Sequence, residues 1–158
     1  MTTPLDARDF FSGTWSGEGE LVPRLWLRAV VKRQRIRFRS RTHWLSDNDW
    51  LVLERFAFEG GPVLRRCMHV RKVGERRLHV SADDIPAGAD IQLHEQGFRF
   101  SRYVILAPRW GHRWPLRCRD ENVVRDDGTI EDRIEMDFHR VPVARLRLVV
   151  RRHGAARR

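Results

Sequence analysis

Apolar and polar positions alternate along much of this chain, and the alternation is sharpest between residues 33 and 44, RQRIRFRSRTHW. Arg33, Arg35, Arg37, Arg39 and Arg41 take every second position, with Gln34, Ile36, Phe38, Ser40, Thr42 and Trp44 between them. A strand turns successive side chains to opposite faces, so this spacing predicts a strand with a guanidinium row on one side and a mostly apolar row on the other. On a helix the same arginines would step around the axis by about 200° and leave no apolar stripe.

Strand-like runs recur near 13–22, 25–32, 34–44, 49–58, 63–73, 76–82, 89–95, 97–107, 113–119, 129–138 and 143–152. Between them stand turn residues: Ser46-Asp47-Asn48-Asp49, Glu59-Gly60-Gly61-Pro62, Gly74-Glu75, Pro86-Ala87-Gly88 and Asp126-Asp127-Gly128. Hairpins joined this way predict an all-β fold, an antiparallel up-and-down β-barrel of about 8–10 strands, because closure removes exposed edges. A short helical turn from Pro4 to Phe11 precedes it. Residues 1–152 read as one domain, and residues 153–158 as a basic tail that frays. Some strands are apolar on both parities: Trp50, Val52, Phe56 and Phe58 alternate with Leu51, Leu53 and Ala57. A barrel has one interior, so two-sided strands predict a covered outer face, and a homodimer is the simplest cover.

With 158 residues, 41% hydrophobic and 33% charged, the chain is long and apolar enough to bury a core without metal or disulfide support. A formal charge of +10 and a pI near 11.2 point toward nucleic acid or an anionic surface. Yet Lys32 and Lys72 are the only lysines among 31 basic residues. A GC-rich genome writes that arginine skew whatever the function, so charge alone argues weakly for nucleic acid. Cys67 and Cys118 have no metal-like spacing and read as reduced thiols. No apolar run follows Met1 and no segment approaches the ~20 apolar residues of a span, so the expectation is a cytoplasmic protein without a membrane span.

The opening Phe10-Phe11-Ser12-Gly13-Thr14-Trp15 resembles the G-x-W entry of the calycins, the superfamily of lipocalins, fatty-acid-binding proteins and nitrobindins. In that superfamily the Trp closes one barrel end, often beneath a late-strand Arg. The resemblance implies such a cation–π cover from Arg133, Arg145 or Arg147. A wider resemblance, from about Phe10 to Arg152, is to a family of bacterial lipocalin-like proteins whose function is not established. It is carried by Glu54-Arg55-Phe56-Ala57-Phe58 with Gly61, Arg65 and Arg66, by Ala82-Asp83-Asp84-Ile85, and by Arg102-Tyr103. Late in the chain, Arg133 and Met136 precede the strand Val143 to Arg152 at family-like spacing. The sequence departs from that family at Met68, at Glu121-Asn122-Val123, and in lacking an export or lipoprotein signal. The resemblance implies the barrel and names no ligand.

Glu54 shares a strand face with Val52, Phe56 and Phe58 and is expected to point inward. A buried carboxylate requires a partner or a proton, and Arg65 or Arg66 lies across the turn Gly60-Gly61-Pro62. Such a pair either fixes the hairpin or orients a ligand's polar head. Asp83 and Asp84 alternate faces at a strand end, suited to one capping the turn while the other reaches Arg102. The aromatics Trp44, Trp50, Phe56, Phe58, Phe100, Tyr103, Trp110 and Trp114 supply either a core or an elongated pocket for a flat or acyl ligand. Trp110 and Trp114 flank Gly111-His112-Arg113 and read as a lid.

The histidines His43, His69, His79, His94, His112, His139 and His153 form no HxH or HExxH pattern, so no metal is expected. The nitrobindin pattern is followed at Gly13, Trp15, Gly17 and Gly19 and lost at Leu21, which leaves haem on His139 as the one cofactor alternative. The arginine ladder is either a solvated face balanced by Glu and Asp on a neighbouring strand, with Glu131, Asp132, Glu135 and Asp137 supplying some of that balance, or free to meet phosphates, lipid head groups or an acidic partner. No Ser-His-Asp order, P-loop or Rossmann glycine pattern occurs, and no catalytic residue is assigned. The expected function is binding of a small apolar or amphipathic ligand inside the barrel. Trp44, Phe56, Phe58 and Trp114 would hold its body, and Glu54, Arg66, Arg102 and Tyr103 its polar end. An isomerase- or cyclase-type enzyme using Glu54, a haem barrel and a polyanion-binding module on Arg33 to Arg41 remain as alternatives.

Overall fold

The computed structural model describes residues 6–109 and 111–153. Helix α1 (Ala7–Phe11) leads into β1 (Thr14–Pro23), a 3-10 turn (Leu25–Leu27), β2 (Gln34–Ser46), β3 (Asp49–Phe58), β4 (Val63–Gly74) and β5 (Arg77–Ala82). Then follow β6 (Ile85–His94), β7 (Gly97–Phe100), β8 (Tyr103–Arg109), β9 (His112–Val124), β10 (Ile130–Phe138) and β11 (Val141–His153). All pairings are antiparallel. β1 joins β11, and β9 joins β10, so the sheet closes on itself. β7 and β8 share one edge of β9, Gly97 opposite Val123 and Tyr103 opposite Cys118, and form one strand interrupted at Ser101 and Arg102. Counting that pair once among eleven strands gives a closed ten-stranded barrel, within the expected range.

Residues 25–32 depart from expectation. Their apolar residues are contiguous instead of alternating, and Leu25–Leu27 closes a 3-10 turn through Leu27 N–H to Arg24 O at 2.9 Å. Pro86-Ala87-Gly88 lies within β6, and the turn falls at Asp83 and Asp84 instead. β9 runs on to Val124, past the expected end at 119. His153 closes β11, while residues 154–158 of the expected tail, Pro4 of the expected helical turn, and Trp110 lie outside the described residues.

The inner parity supplies a main core and a smaller cluster beside it around Ile85, Ala89, Tyr103 and Cys118. A five-residue helix is marginal alone, and α1 is held by burial of Ala7, Phe10 and Phe11. Phe10 packs on Phe98 at 5.2 Å between ring centroids, and Phe11 on Trp50 at 5.7 Å, so the helix plugs the end where β1 begins. Arg8 pairs with Asp47 in the β2–β3 turn of the same end. Gly17 and Gly19 allow β1 to press against β11: a Cβ at either would lie 2.0 or 1.8 Å from the carbonyl oxygens of Val149 and Arg147. Trp15 is buried and covered by a late-strand arginine, but that residue is Arg152, 4.8 Å from the ring, because the β1–β11 register sets the two opposite. Arg133 and Arg147 bind Glu131 instead, at 2.9 and 2.6 Å.

On the outer wall Arg35, Arg37, Arg39 and Arg41 are exposed, as their parity predicts. Arg33 precedes β2 and bonds Glu20 at 2.6 Å. Part of the acidic balance comes from the neighbouring strand β1, where Glu18 stands opposite Arg37 and Glu20 opposite Arg35, and not from the late-strand acids. Glu131 gathers Arg125, Arg133 and Arg147, Glu135 takes Arg119 at 3.2 Å, Asp132 turns inward, and Asp137 stands opposite Arg117. Arg39 stands opposite Arg55, and Arg55 opposite Arg65. No helix among the described residues is long and apolar enough to cross a membrane.

Candidate functional site

Two inward-facing polar groups meet inside the barrel. The β3–β4 register places Glu54 directly opposite Arg66, and strand parity sends Arg65 to the outer wall. Arg66 Nε and one terminal nitrogen donate to Glu54 Oε2 at 2.8 and 2.7 Å, while the other terminal nitrogen reaches Asp84 Oδ2 at 3.5 Å. The guanidinium also sits 5.4 Å from the Phe56 ring. Burial by itself would lower the Arg66 pKa, but the carboxylates of Glu54 and Asp84 outweigh it and raise it, so the cation stays charged.

The second group comes from β8, β9 and β10. Tyr103 donates from its hydroxyl to Asp120 Oδ2 at 3.0 Å, and Asn122 Nδ2 donates to Asp120 Oδ1 at 2.8 Å. Asp132, diagonally across β9–β10, brings its carboxyl within hydrogen-bonding reach of Asp120. Two buried carboxyls in contact cannot both ionise cheaply, so they share a proton. Burial pushes Asp120 up to about 6, and burial together with the Asp120 charge holds Asp132 well above the usual carboxylate range. Burial likewise raises the Tyr103 phenol and pushes the neighbouring Cys118 thiol up to about 12.

These groups line a cavity of about 90 Å³. Its polar wall holds Glu54, Arg66, Tyr103, Asp120, Asn122 and Asp132, and its apolar wall includes Phe10, Phe11, Phe38, Phe56, Phe98 and Phe100. That volume holds several waters or a compact organic group, and is smaller than the roughly 300–1,000 Å³ of drug-sized sites. Buried inside with no hydrogen-bond partner is Asp132 Oδ1, an acceptor facing no donor of the protein.

Of the residues expected at a ligand site, Glu54, Arg66, Tyr103 and Phe56 border this cavity. The rest lie elsewhere. Arg102 is exposed at the β7–β8 interruption, where the break in pairing turns it out of the barrel, and Asp84 reaches Arg66 in its place. Trp44 stacks on Trp50 at 4.6 Å beneath Arg8, beside the helical plug. Phe58, at the end of β3, packs against the core beyond the cavity lining. Trp114 packs on Phe138 at 5.4 Å and donates to Arg109 O at 3.2 Å, away from the cavity. No histidine lines the cavity, and His139, the expected haem ligand, sits exposed in the β10–β11 turn.

Asp120, Asn122 and Asp132 were not legible as site residues. Both parities of β9 are polar, with Arg119 and Glu121 between Asp120 and Asn122, so alternation marked no inner face.

The barrel is similar in fold to an S-type phycobiliprotein lyase, CPES, from Guillardia theta, with a TM-score of 0.64 and 10% identity over 97% of this chain and 95% of that one. No protein of curated function matches the sequence. Residues 1–152 match DUF3833, described as a protein of unknown function, and on that match the chain belongs to the DUF3833 family.

Proposed function

We propose that the barrel binds a compact amphipathic molecule, with its apolar body against the phenylalanine wall and its polar end at the carboxyl cluster. The observation that carries this reading is the meeting, in one cavity, of six phenylalanines and the inward carboxyls of Asp120 and Asp132. The unpartnered Asp132 Oδ1 favours a ligand end that donates a hydrogen bond, such as an amine or hydroxyl. A barrel of the same fold bears the name of a phycobiliprotein lyase, which supports small-molecule work in this architecture. Arg66, already held by Glu54 and Asp84, shapes the polar wall.

Native mass spectrometry of the protein as purified, with released small molecules identified, tests the proposal. The expected result is a discrete bound mass, weakened about tenfold or more by Asp132→Ala, which removes the unpartnered acceptor and with it a hydrogen bond of about 1.5–3 kcal/mol. A clean apo mass together with no uptake of amphipathic amines would overturn it.

Acid–base turnover is a second reading, of the isomerase or cyclase type, favoured by Asp120 titrating near 6. It assigns proton transfer to Asp120 and Asp132, because Glu54 is tied to Arg66. Asp120→Asn abolishing turnover while a ligand still binds would distinguish it from binding alone. The binding reading keeps a cytoplasmic location as part of the proposal, supported by the free thiols of exposed Cys67 and buried Cys118. It also retains a homodimer through the outer apolar positions Leu51, Leu53 and Ala57, checked by light scattering.

A further inference from the structure

The β1–β2 connection, residues 24–33, reads RLWLRAVVKR: four cations and no acid around five large apolar side chains. It is also the most exposed apolar segment described, with Leu25, Trp26 and Val30 at 78%, 59% and 58% exposure. This exposure is built and not frayed. Arg24 N–H donates to Val143 O at 2.9 Å, Trp26 Nε1 to Pro142 O at 3.1 Å, and Arg109 to Val30 O at 3.2 Å, so three bonds clamp the segment onto the barrel. Val141 and Val63, each 48% exposed, begin strands at the same barrel end. Glu59 and Asp83 are acids on neighbouring turns of that end and Glu20 is paired with Arg33, against the exposed cations Arg28, Lys32 and Arg140.

We propose that this end of the barrel docks on an anionic phospholipid bilayer, with Leu25, Trp26 and Val30 entering the head-group boundary and the flanking cations meeting lipid phosphates. A Trp and aliphatic tip ringed by Arg and Lys is the chemistry of an interfacial segment. Charge draws the end to the surface, and apolar burial holds it there. Nucleic acid suits the tip less well: it rewards flat stacking platforms, and the exposed large apolar side chains here are two aliphatics beside one indole. The opposite end is filled by α1, so docking leaves the helical plug untouched. The inference is independent of the cavity's ligand.

Co-sedimentation of the full chain with vesicles of phosphatidylcholine, alone or mixed with phosphatidylglycerol, tests it. Two variants separate the contributions. Leu25→Ser with Val30→Ser removes the tip, and Arg28→Gln with Lys32→Gln removes two cations; all four side chains are exposed except for their backbone bonds, so both variants fold. The wild type should partition onto phosphatidylglycerol vesicles at least tenfold better than onto phosphatidylcholine alone. The cation variant should lose about thirtyfold, at about 1 kcal/mol per cation near the surface, and the tip variant at least tenfold. Equal partitioning onto both vesicle types, or wild-type binding by both variants, would overturn the proposal. So would tighter binding to single-stranded RNA that the tip variant leaves unchanged, or a solution dimer that buries Trp26.

Discussion

Asp120 and Asp132 show how one pair of side chains can run against the rest of the molecule. The chain carries a formal +10, yet its cavity holds Glu54, Asp120 and Asp132 against the single cation Arg66. A carboxyl whose folded pKa is raised keeps its proton where the unfolded chain has lost it. Between pH 3.8 and about 6 the native state therefore binds more protons through Asp120, and stability falls as pH rises through that window. The effect is on the order of 1–3 kcal/mol. Asp132→Asn keeps the shape and removes the carboxyl that burial and the Asp120 charge hold well above the usual carboxylate range. Melting temperature plotted against pH should then be flatter for the variant, with its gain over wild type largest at pH 7–8. An unchanged slope would mean that the two carboxyls do not share a proton.

Within elements, parity and close approach decide the outcome. Gly17 and Gly19 let β1 and β11 meet where any side chain would strike backbone. Gly17→Ala should therefore cost about 3 kcal/mol or more, read from denaturant midpoints, because the obstacle is a carbonyl that cannot rotate aside as a side chain would. The helix α1 depends on what it covers: Phe11→Ala removes contacts with Trp50 and Phe98 and should cost about 3–5 kcal/mol in the same assay. Its loss should also open the cavity end, since Phe11 is a lining residue. The Gly13, Trp15, Gly17 and Gly19 pattern was visible in the sequence, but its partner Arg152 was not. Which late-strand arginine covers Trp15 depends on a register set over more than a hundred intervening residues.

Across the whole molecule, successive hairpins bring arginines from β2, β3 and β4 into one row. Arg39, Arg55 and Arg65 lie side by side on adjacent strands, and none forms an ion pair among the described residues. Like charges directly opposite destabilise a sheet. Salt should therefore raise the melting temperature, and Arg55→Thr should stabilise the protein by about 0.5–1 kcal/mol at low ionic strength, a gain that shrinks as salt is added. If the variant is no more stable at low salt, the row is already neutralised by a bound anion or a partner surface.

Local pattern by itself determined most of the strands, though not the loop at 25–32 or the turn at Asp83 and Asp84, and the outward turn of Arg35 to Arg41, because a two-residue period is written into neighbouring positions and needs no distant partner. It also placed Glu54 inside and narrowed its partner to two arginines. Tertiary structure alone chose Arg66 over Arg65, turned Arg102 outward at the β7–β8 interruption, and drew Asp120 and Asp132 together across β9 and β10. Those outcomes rest on register and ring closure, which couple residues far apart in the chain. A strand polar on both parities carries no local mark of which side the ring encloses.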